Sequence, residues 1–181
     1  MNINLLYGRN SIPLRLPDGI RATVVRKHPM IIIGNPVQAV KQALETPVGS
    51  PPLAEMARHG KTACILICDI TRPVPNGTLL PPLIETITAA GISRENILIL
   101  VATGLHRPNE GEELREVVGS DEVFRTTRAE NHFARDREAH VDLGKTSRGI
   151  PILIDRRFVE ADLKIVTGLV EPHFMAGYSG G

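Results

Sequence analysis

Three apolar runs dominate the chain: Thr62–Cys68 (TACILIC), Asn96–Ala102 (NILILVA) and Leu163–Thr167 (LKIVT). A strand with one wet face alternates apolar and polar residues. A continuous apolar run instead suits a strand covered on both faces, as in a parallel sheet packed by helices. Between the first two runs, Thr78–Ala90 has helical spacing and stops at Gly91. Strand, helix, strand in succession predicts an α/β fold, with a mostly parallel sheet, helices on both faces and a Rossmann-like layout.

The flanking segments are less regular. Asn2–Tyr7 and Arg21–Arg26 read as short strands separated by the turn Leu16-Pro17-Asp18-Gly19. Pro36–Glu45 reads as a helix starting at Asn35 or Pro36, and Leu53–His59 as a short helix ending at Gly60. Downstream, the pattern predicts a polar helix over Asn109–Val118 and a strand over Phe124–Asn131. It also predicts a hairpin of Val141–Lys145 and Ile150–Ile154 around Arg148-Gly149. The change of pattern near Gly60 marks where a boundary would fall, although separate cores are not expected.

In an open parallel sheet, ligands bind at the carboxyl ends of the strands. The three buried runs exit at Asp69/Thr71/Arg72, at Thr103/His106/Arg107 and, a few residues further, at Glu171/His173. All three sets therefore project to one edge. Taken singly, each has a plain structural reading. Asp69 with Thr71 reads equally as an Asx-type turn leading to Pro73, and Arg72 equally as a solvated charge. A lone histidine after a strand is more often structural than catalytic, but two on Gly/Pro-rich exits shift the balance toward a site. His132 lies at a possible fourth strand exit, His140 is intermediate, and His28 and His59 read as surface residues.

Composition removes several function classes. The 21 basic and 20 acidic residues leave a net charge of +1, too little to hold nucleic acid non-specifically. Aromatic residues are 3% of the chain and Trp is absent, which argues against a base-stacking surface. The two cysteines, Cys64 and Cys68, share one strand and read as packing residues, and reduced thiols suit a cytoplasmic protein. No HxxxH or CxxC spacing occurs, so a metal site made by this chain alone is not expected. No signal peptide is visible and no apolar run approaches the ~20 residues of a membrane span.

Arginine binds carboxylates bidentately, and a neutral histidine takes or gives a proton near neutral pH. A histidine on each face of a bound carbon centre would permit hydrogen exchange from both faces, as a racemase or epimerase requires. The α-hydrogen of a 2-hydroxy acid is weakly acidic, so its removal as hydride, with a histidine taking the hydroxyl proton, avoids a carbanion and demands a cofactor. Residue chemistry alone reaches a small-anion site with two acid/base candidates.

Four motifs carry a resemblance: DITRP at Asp69–Pro73, ATGLHRP at Ala102–Pro108, ENH at Glu130–His132 and EPHFMAGYSGG at Glu171–Gly181. In order and separation they resemble the nickel-pincer-cofactor-dependent lactate racemase family, across essentially the whole chain. The resemblance implies that residues 1–181 form the N-terminal catalytic α/β domain of a two-domain enzyme, with cofactor and substrate between the domains. It places the family's two acid/base histidines on His106 and His173, and its substrate-carboxylate arginine on Arg72. Asp69 falls where a residue orients its neighbours or touches the cofactor, and Thr71, Thr103 and Gly104 on cofactor-lining positions. The implied cofactor is the nickel-pincer nucleotide and the implied substrate a 2-hydroxy acid, with neither nucleic acid nor membrane as partner. The family's anchoring lysine and nickel-ligating histidine are expected beyond Gly181, in a C-terminal part that this chain lacks. The 181-residue piece is therefore expected to be inactive by itself. Leu105 stands where a small polar residue is expected in lactate-specific members, which hints at a different 2-hydroxy acid. Two alternatives are a non-catalytic α/β domain binding a carboxylate or nucleotide-like ligand, and a nickel-free lyase or dehydrogenase.

Overall fold

The structure, a computed structural model, describes residues 1–8, 10–25, 28–173, 175 and 177–179. Arg26 and, from the last motif, Phe174, Ala176, Gly180 and Gly181 lie outside the described residues. The chain divides into two compact units, Met1–Ile32 and Ile33–Gly181.

In the first unit, β1 (Asn2–Tyr7) and β2 (Asn10–Arg15) form an antiparallel hairpin, paired from Asn2↔Arg15 to Tyr7↔Asn10. The strand expected at Arg21–Arg26 does not form over residues 21–25. The segment directly after residues 8–9 takes the place beside β1 instead. Leu16 N–H closes the ladder on the Met1 carbonyl at 2.9 Å, and Pro17, with no N–H, cannot extend it.

The second unit begins with α1 (Pro36–Glu45), capped by the Asn35 side chain on Gln38 N–H at 3.0 Å, and α2 (Leu53–Ala57). Then come β3 (Ala63–Cys68), α3 (Asn76–Ala89), β4 (Ile97–Ala102), α4 (Glu112–Val118), α5 (Asp121–Thr126) and β5 (Arg128–Asn131). The hairpin β6 (His140–Lys145) and β7 (Pro151–Asp155) leads through α6 (Arg156–Glu160) to β8 (Leu163–Val166). A short hairpin of β9 (Glu171–His173) and β10 (Gly177–Ser179) follows.

The apolar runs form one parallel sheet in the order β5-β4-β3-β8. Alternate residues divide the core between its faces. Ile65, Ile67, Ile99 and Val101 face Leu80, Ile84 and Ile87 of α3, Val118 of α4 and Val123 of α5. Full burial of each such aliphatic contributes about 1.5–3 kcal/mol, so this face carries most of the folding energy. On the opposite face, among the described residues, Cys64, Leu98 and Leu100 form a small buried cluster with Ala161, and Leu66 of β3 and Phe158 of α6 pack at its margin. Helices thus flank both faces, as the pattern predicts, but very unequally.

Two segments differ from expectation. The strand predicted over Phe124–Asn131 begins only at Arg128, because α5 occupies its first half. The Ser120 side chain caps α5, Asp121 and Glu122 lie in its first turn, and Val123 is buried. Negative charge and a cap at a helix N-terminus outweigh the short apolar pattern. The helix predicted from Asn109 starts at Glu112, because Asn109 N–H and the Asn109 carbonyl are bonded to the Asn131 side chain at 2.9 and 2.8 Å. One close approach fixes the start of α3: a Cβ added to Gly77 would lie 2.2 Å from the Gly119 carbonyl oxygen. Asn76 Nδ2 donates to Val117 O at 2.8 Å beside it, so the far end of the loop after β3 is tied to the end of α4.

Candidate functional site

The sheet is wound outward from β3 through β4 to β5, and the chain then returns to place β8 on the other side of β3. The crevice where connections diverge is at the carboxyl ends of β3 and β8, the usual ligand position in such sheets.

At the end of β3, Asp69 is buried at 5% exposure. Its Oδ1 accepts Thr71 N–H at 3.2 Å and the Thr71 hydroxyl at 2.6 Å. That is the Asx-type turn. Its Oδ2 is 2.6 Å from His106 Nδ1. The structural and the functional readings of Asp69 both hold, one on each oxygen. Burial pushes its carboxyl upward, but the hydrogen bonds from Thr71 and His106 more than offset this and hold it below its ordinary value. An ionised Asp69 accepts only, so Nδ1 of His106 donates and, in the neutral ring, Nε2 is left as the basic pole.

His106 reaches this position through a turn at the end of β4, where His106 N–H donates to Thr103 O at 2.9 Å. Gly104 adopts φ +58 within it, and a Cβ there would meet nothing within 4 Å. Glycine suits this left-handed corner and leaves the backbone open to the cleft. Thr103 is buried, and its hydroxyl donates a short bond to the His132 carbonyl.

On the β8 side, Arg72 Nε lies 3.5 Å from Glu171 Oε1, an ion pair across the crevice with both side chains partly exposed. His173 is two residues further along β9. Its Nδ1 accepts Met175 N–H at 3.2 Å, so in the neutral ring Nε2 carries the proton. Asp69, Thr71, Arg72, Thr103, Gly104 and His106 therefore line one cleft of about 400 Å³, together with Cys68, Ala102 and Leu105. His173 is linked to it through the strand that carries Glu171. Burial pushes both thiols up, Cys64 to about 11, so they stay protonated near neutral pH.

The residue reading missed a second array beside the first. His132 Nδ1 lies 2.9 Å from Asp155 Oδ2. Arg157 donates to both Asp155 oxygens at 3.0 and 2.7 Å, to Glu130 at 2.6 Å and to the Asn131 carbonyl at 3.0 Å. Burial raises the Asp155 carboxyl, but the bonds from Arg157 and His132 bring it down to about 2. The available signal was ENH at a strand exit, together with the Asp155-Arg156-Arg157 run after β7. A cleft of about 290 Å³ adjoins the array, lined by Gly104, His132 and Asp155 and by apolar Leu66, Leu100 and Phe158. A larger cavity of about 490 Å³ lies among α1, α2 and the end of α3, toward the amino ends of the strands and away from this chemistry. Among the described residues, no group of three or more His, Cys, Asp or Glu side chains is placed to hold a metal ion, and no helix is long and apolar enough to cross a membrane.

The chain is 35% identical over 184 aligned positions to the lactate racemase of Thermoanaerobacterium thermosaccharolyticum, covering 99% of this chain and 42% of that protein. It is 37% identical over 144 positions to the lactate racemase of Lactiplantibacillus plantarum, covering 80% of this chain and 34% of that one. The chain thus spans well under half the length of these relatives. The solved lactate racemase apoprotein from T. thermosaccharolyticum superposes with a TM-score of 0.83 at 35% identity, over 100% of this chain and 42% of that chain. A crystal structure of a protein from Thermotoga maritima shares the fold alone, at a TM-score of 0.63 and 22% identity, over 83% of this chain and 38% of that chain. Residues 7–181 match the sequence model of the lactate racemase N-terminal domain, and the chain belongs to that family.

Proposed function

We propose that this chain supplies the acid/base and carboxylate-binding side chains of a racemase or epimerase acting on lactate or another 2-hydroxy acid, in a cytoplasmic enzyme. The observation that carries the reading is the Asp69–His106 pair at 2.6 Å beside Arg72, at the point where the sheet connections diverge.

The substrate carboxylate replaces Glu171 on Arg72. That exchange costs little, because the 3.5 Å pair is loose and partly exposed. His106 Nε2 takes the hydroxyl proton while Asp69 stabilises the imidazolium that forms. The α-hydrogen leaves with its electron pair, and the product of this half-reaction is the planar 2-keto acid. The nickel-pincer nucleotide supplies the hydride acceptor, in its pyridinium ring, when it is bound. On the other face His173, once protonated on both ring nitrogens, would give its Nε2 proton to the oxygen as the carbon regains its hydrogen. Over the two half-reactions His106 gains the proton that the His173 imidazolium gives up, so the two rings exchange charge states and no imidazolate forms.

The residues present suit the organic part of this cofactor. Ala102 and Gly104 leave the cleft wall low, and a side chain at Gly104 would project into open space. The hydroxyls of Thr71 and Thr103 are bonded to Asp69 and to His132, so these residues, with Asp69, would line the cofactor through backbone and methyl surface. The lactate racemases that this chain resembles are more than twice as long as it, and the covalent lysine and the nickel ligand would come from the further part of such an enzyme. Leu105, 76% exposed, lines the same cleft and would bear on which 2-hydroxy acid is accepted.

The test is racemisation by the longer enzyme with cofactor. His106→Ala and His173→Ala are each expected to lower it by about 10²–10⁴-fold. Near-normal activity in both variants removes the reading. Binding of a 2-hydroxy acid by this chain without turnover in the longer protein supports the non-catalytic binding domain instead.

A further inference from the structure

We infer that His132, Asp155 and Arg157 are positioning residues: they hold the backbone against which Thr103 sets the turn that carries His106. The inference rests on the reading of His106 as proton acceptor and adds a source for its orientation.

The turn has two ends. One is the bond between the His106 ring and Asp69, at 2.6 Å, which fixes the ring pole. The other is Thr103, which heads the turn by accepting His106 N–H at 2.9 Å. Thr103 is buried, and its hydroxyl points away from solvent to the His132 carbonyl. The position of that carbonyl therefore sets where the turn begins.

The carbonyl is held from several directions. His132 N–H donates to Val101 O at 2.9 Å, joining the exit of β5 to the last residues of β4. The ring, 17% exposed, is tied to Asp155 at 2.9 Å. Arg157 closes the array by donating at once to Asp155, to Glu130 and to the carbonyl of Asn131, the residue before His132. One guanidinium thus fixes the residue preceding His132 and the carboxylate that holds its ring. A planar donor fork is suited to this, and a buried carboxylate with four hydrogen bonds in one geometry has no easy alternative state. Asn109 adds a further clamp on Asn131, at 2.9 and 2.8 Å. Displacing a catalytic group by about 1 Å can cost roughly 100-fold in rate, so a brace of this kind matters at the chemical step.

Two variants cut the path without touching His106. Thr103→Val keeps the side-chain shape and removes the hydroxyl, and Thr103→Ser restores it. Asp155→Asn removes the charge on which the His132 ring rests. In the longer enzyme with cofactor, Thr103→Val and Asp155→Asn are each expected to lower kcat about tenfold with KM changed less than about twofold. Thr103→Ser should return kcat to within about twofold of the parent, and the double variant Thr103→Val/Asp155→Asn should be little worse than either single one. A readout without cofactor comes from this chain itself. Long-range ¹⁵N spectra should show His106 as the Nδ1–H tautomer, and Thr103→Val should give a mixture of tautomers. Unchanged kcat and an unchanged tautomer in Thr103→Val overturn the inference, as do effects that multiply in the double variant. If Asp155→Asn does not fold, the Thr103→Val and Thr103→Ser pair decides the matter. His106→Ala separates the two claims. Near-normal racemisation there removes the role of His106 itself, whereas a dead His106→Ala beside an unaffected Thr103→Val removes only the brace.

Discussion

His106 and His173 present opposite tautomers: Asp69 takes the Nδ1–H of His106 at 2.6 Å, whereas Met175 N–H donates to Nδ1 of His173 at 3.2 Å. In their neutral forms the outer nitrogen of His106 is a hydrogen-bond acceptor and that of His173 a donor.

Asp69→Asn tests the first of these poles. The amide cannot stabilise an imidazolium as a carboxylate does, and it can donate to Nδ1 and so favour the wrong tautomer. Racemisation is expected to fall by about 10²–10⁴-fold, the range of a lost acid/base group. The ¹⁵N spectrum of His106 should lose its Nδ1–H signature in the same variant.

Arg72→Lys tests the carboxylate site. An ammonium keeps the charge but loses the fork. KM for the hydroxy acid is expected to rise about tenfold, with kcat much less affected, as steady-state kinetics over a range of substrate concentrations would show.

Leu105→Ser tests the substrate side. Replacing an exposed apolar side chain on the cleft by a small polar one should shift kcat/KM toward lactate, relative to a 2-hydroxy acid with a bulkier apolar chain, by about 10-fold. Competition between the two acids in one reaction reads the ratio directly.

Asp155 gives a pH signature in stability. Its carboxyl titrates at about 2 in the fold against an ordinary 3.8. Between those values the unfolded chain binds more protons, so the stabilisation is complete above about 3.8 and is lost as pH falls toward 2. Asp155→Asn should flatten that part of the stability–pH curve, as denaturant titrations at several acid pH values would reveal.

Gly77→Ala tests the close approach between α3 and α4. The added Cβ would lie 2.2 Å from the Gly119 carbonyl oxygen, and both neighbours are backbone. Separation of the two helix ends should cost about 1–3 kcal/mol, read as a lower midpoint of denaturation.

The sheet was legible because its strands are apolar on both sides. Ala63–Cys68, Ile97–Ala102 and Leu163–Val166 form within a residue or two of the runs that predict them. Helix α1 was legible from Asn35 and Pro36. The strand at Arg21–Arg26 was not, because partner choice in a hairpin depends on the connection, which a local pattern does not encode. Around the site, Asp69, Thr71, Arg72, Thr103, Gly104 and His106 came together because strand ends in a parallel sheet share an edge. The array of His132, Asp155 and Arg157 was harder to read. It joins the exit of β5 to the end of β7 and the start of α6, and α6 is a five-residue helix with no apolar periodicity to announce it. Asp162 is similar: it accepts from Lys61 and Thr62 across the sheet floor at 2.8 and 3.1 Å, a contact between residues a hundred positions apart.

The unequal covering of the sheet separates two kinds of requirement. The isoleucines facing α3 keep the chain folded, and the polar groups at the strand tips contribute little to that core. A lineage can therefore exchange tip residues such as Leu105 while the scaffold keeps its stability. Change at the tips then comes at little risk of losing the fold, whereas the face beside α6 holds the clamped array of His132, Asp155 and Arg157 and is less free to vary.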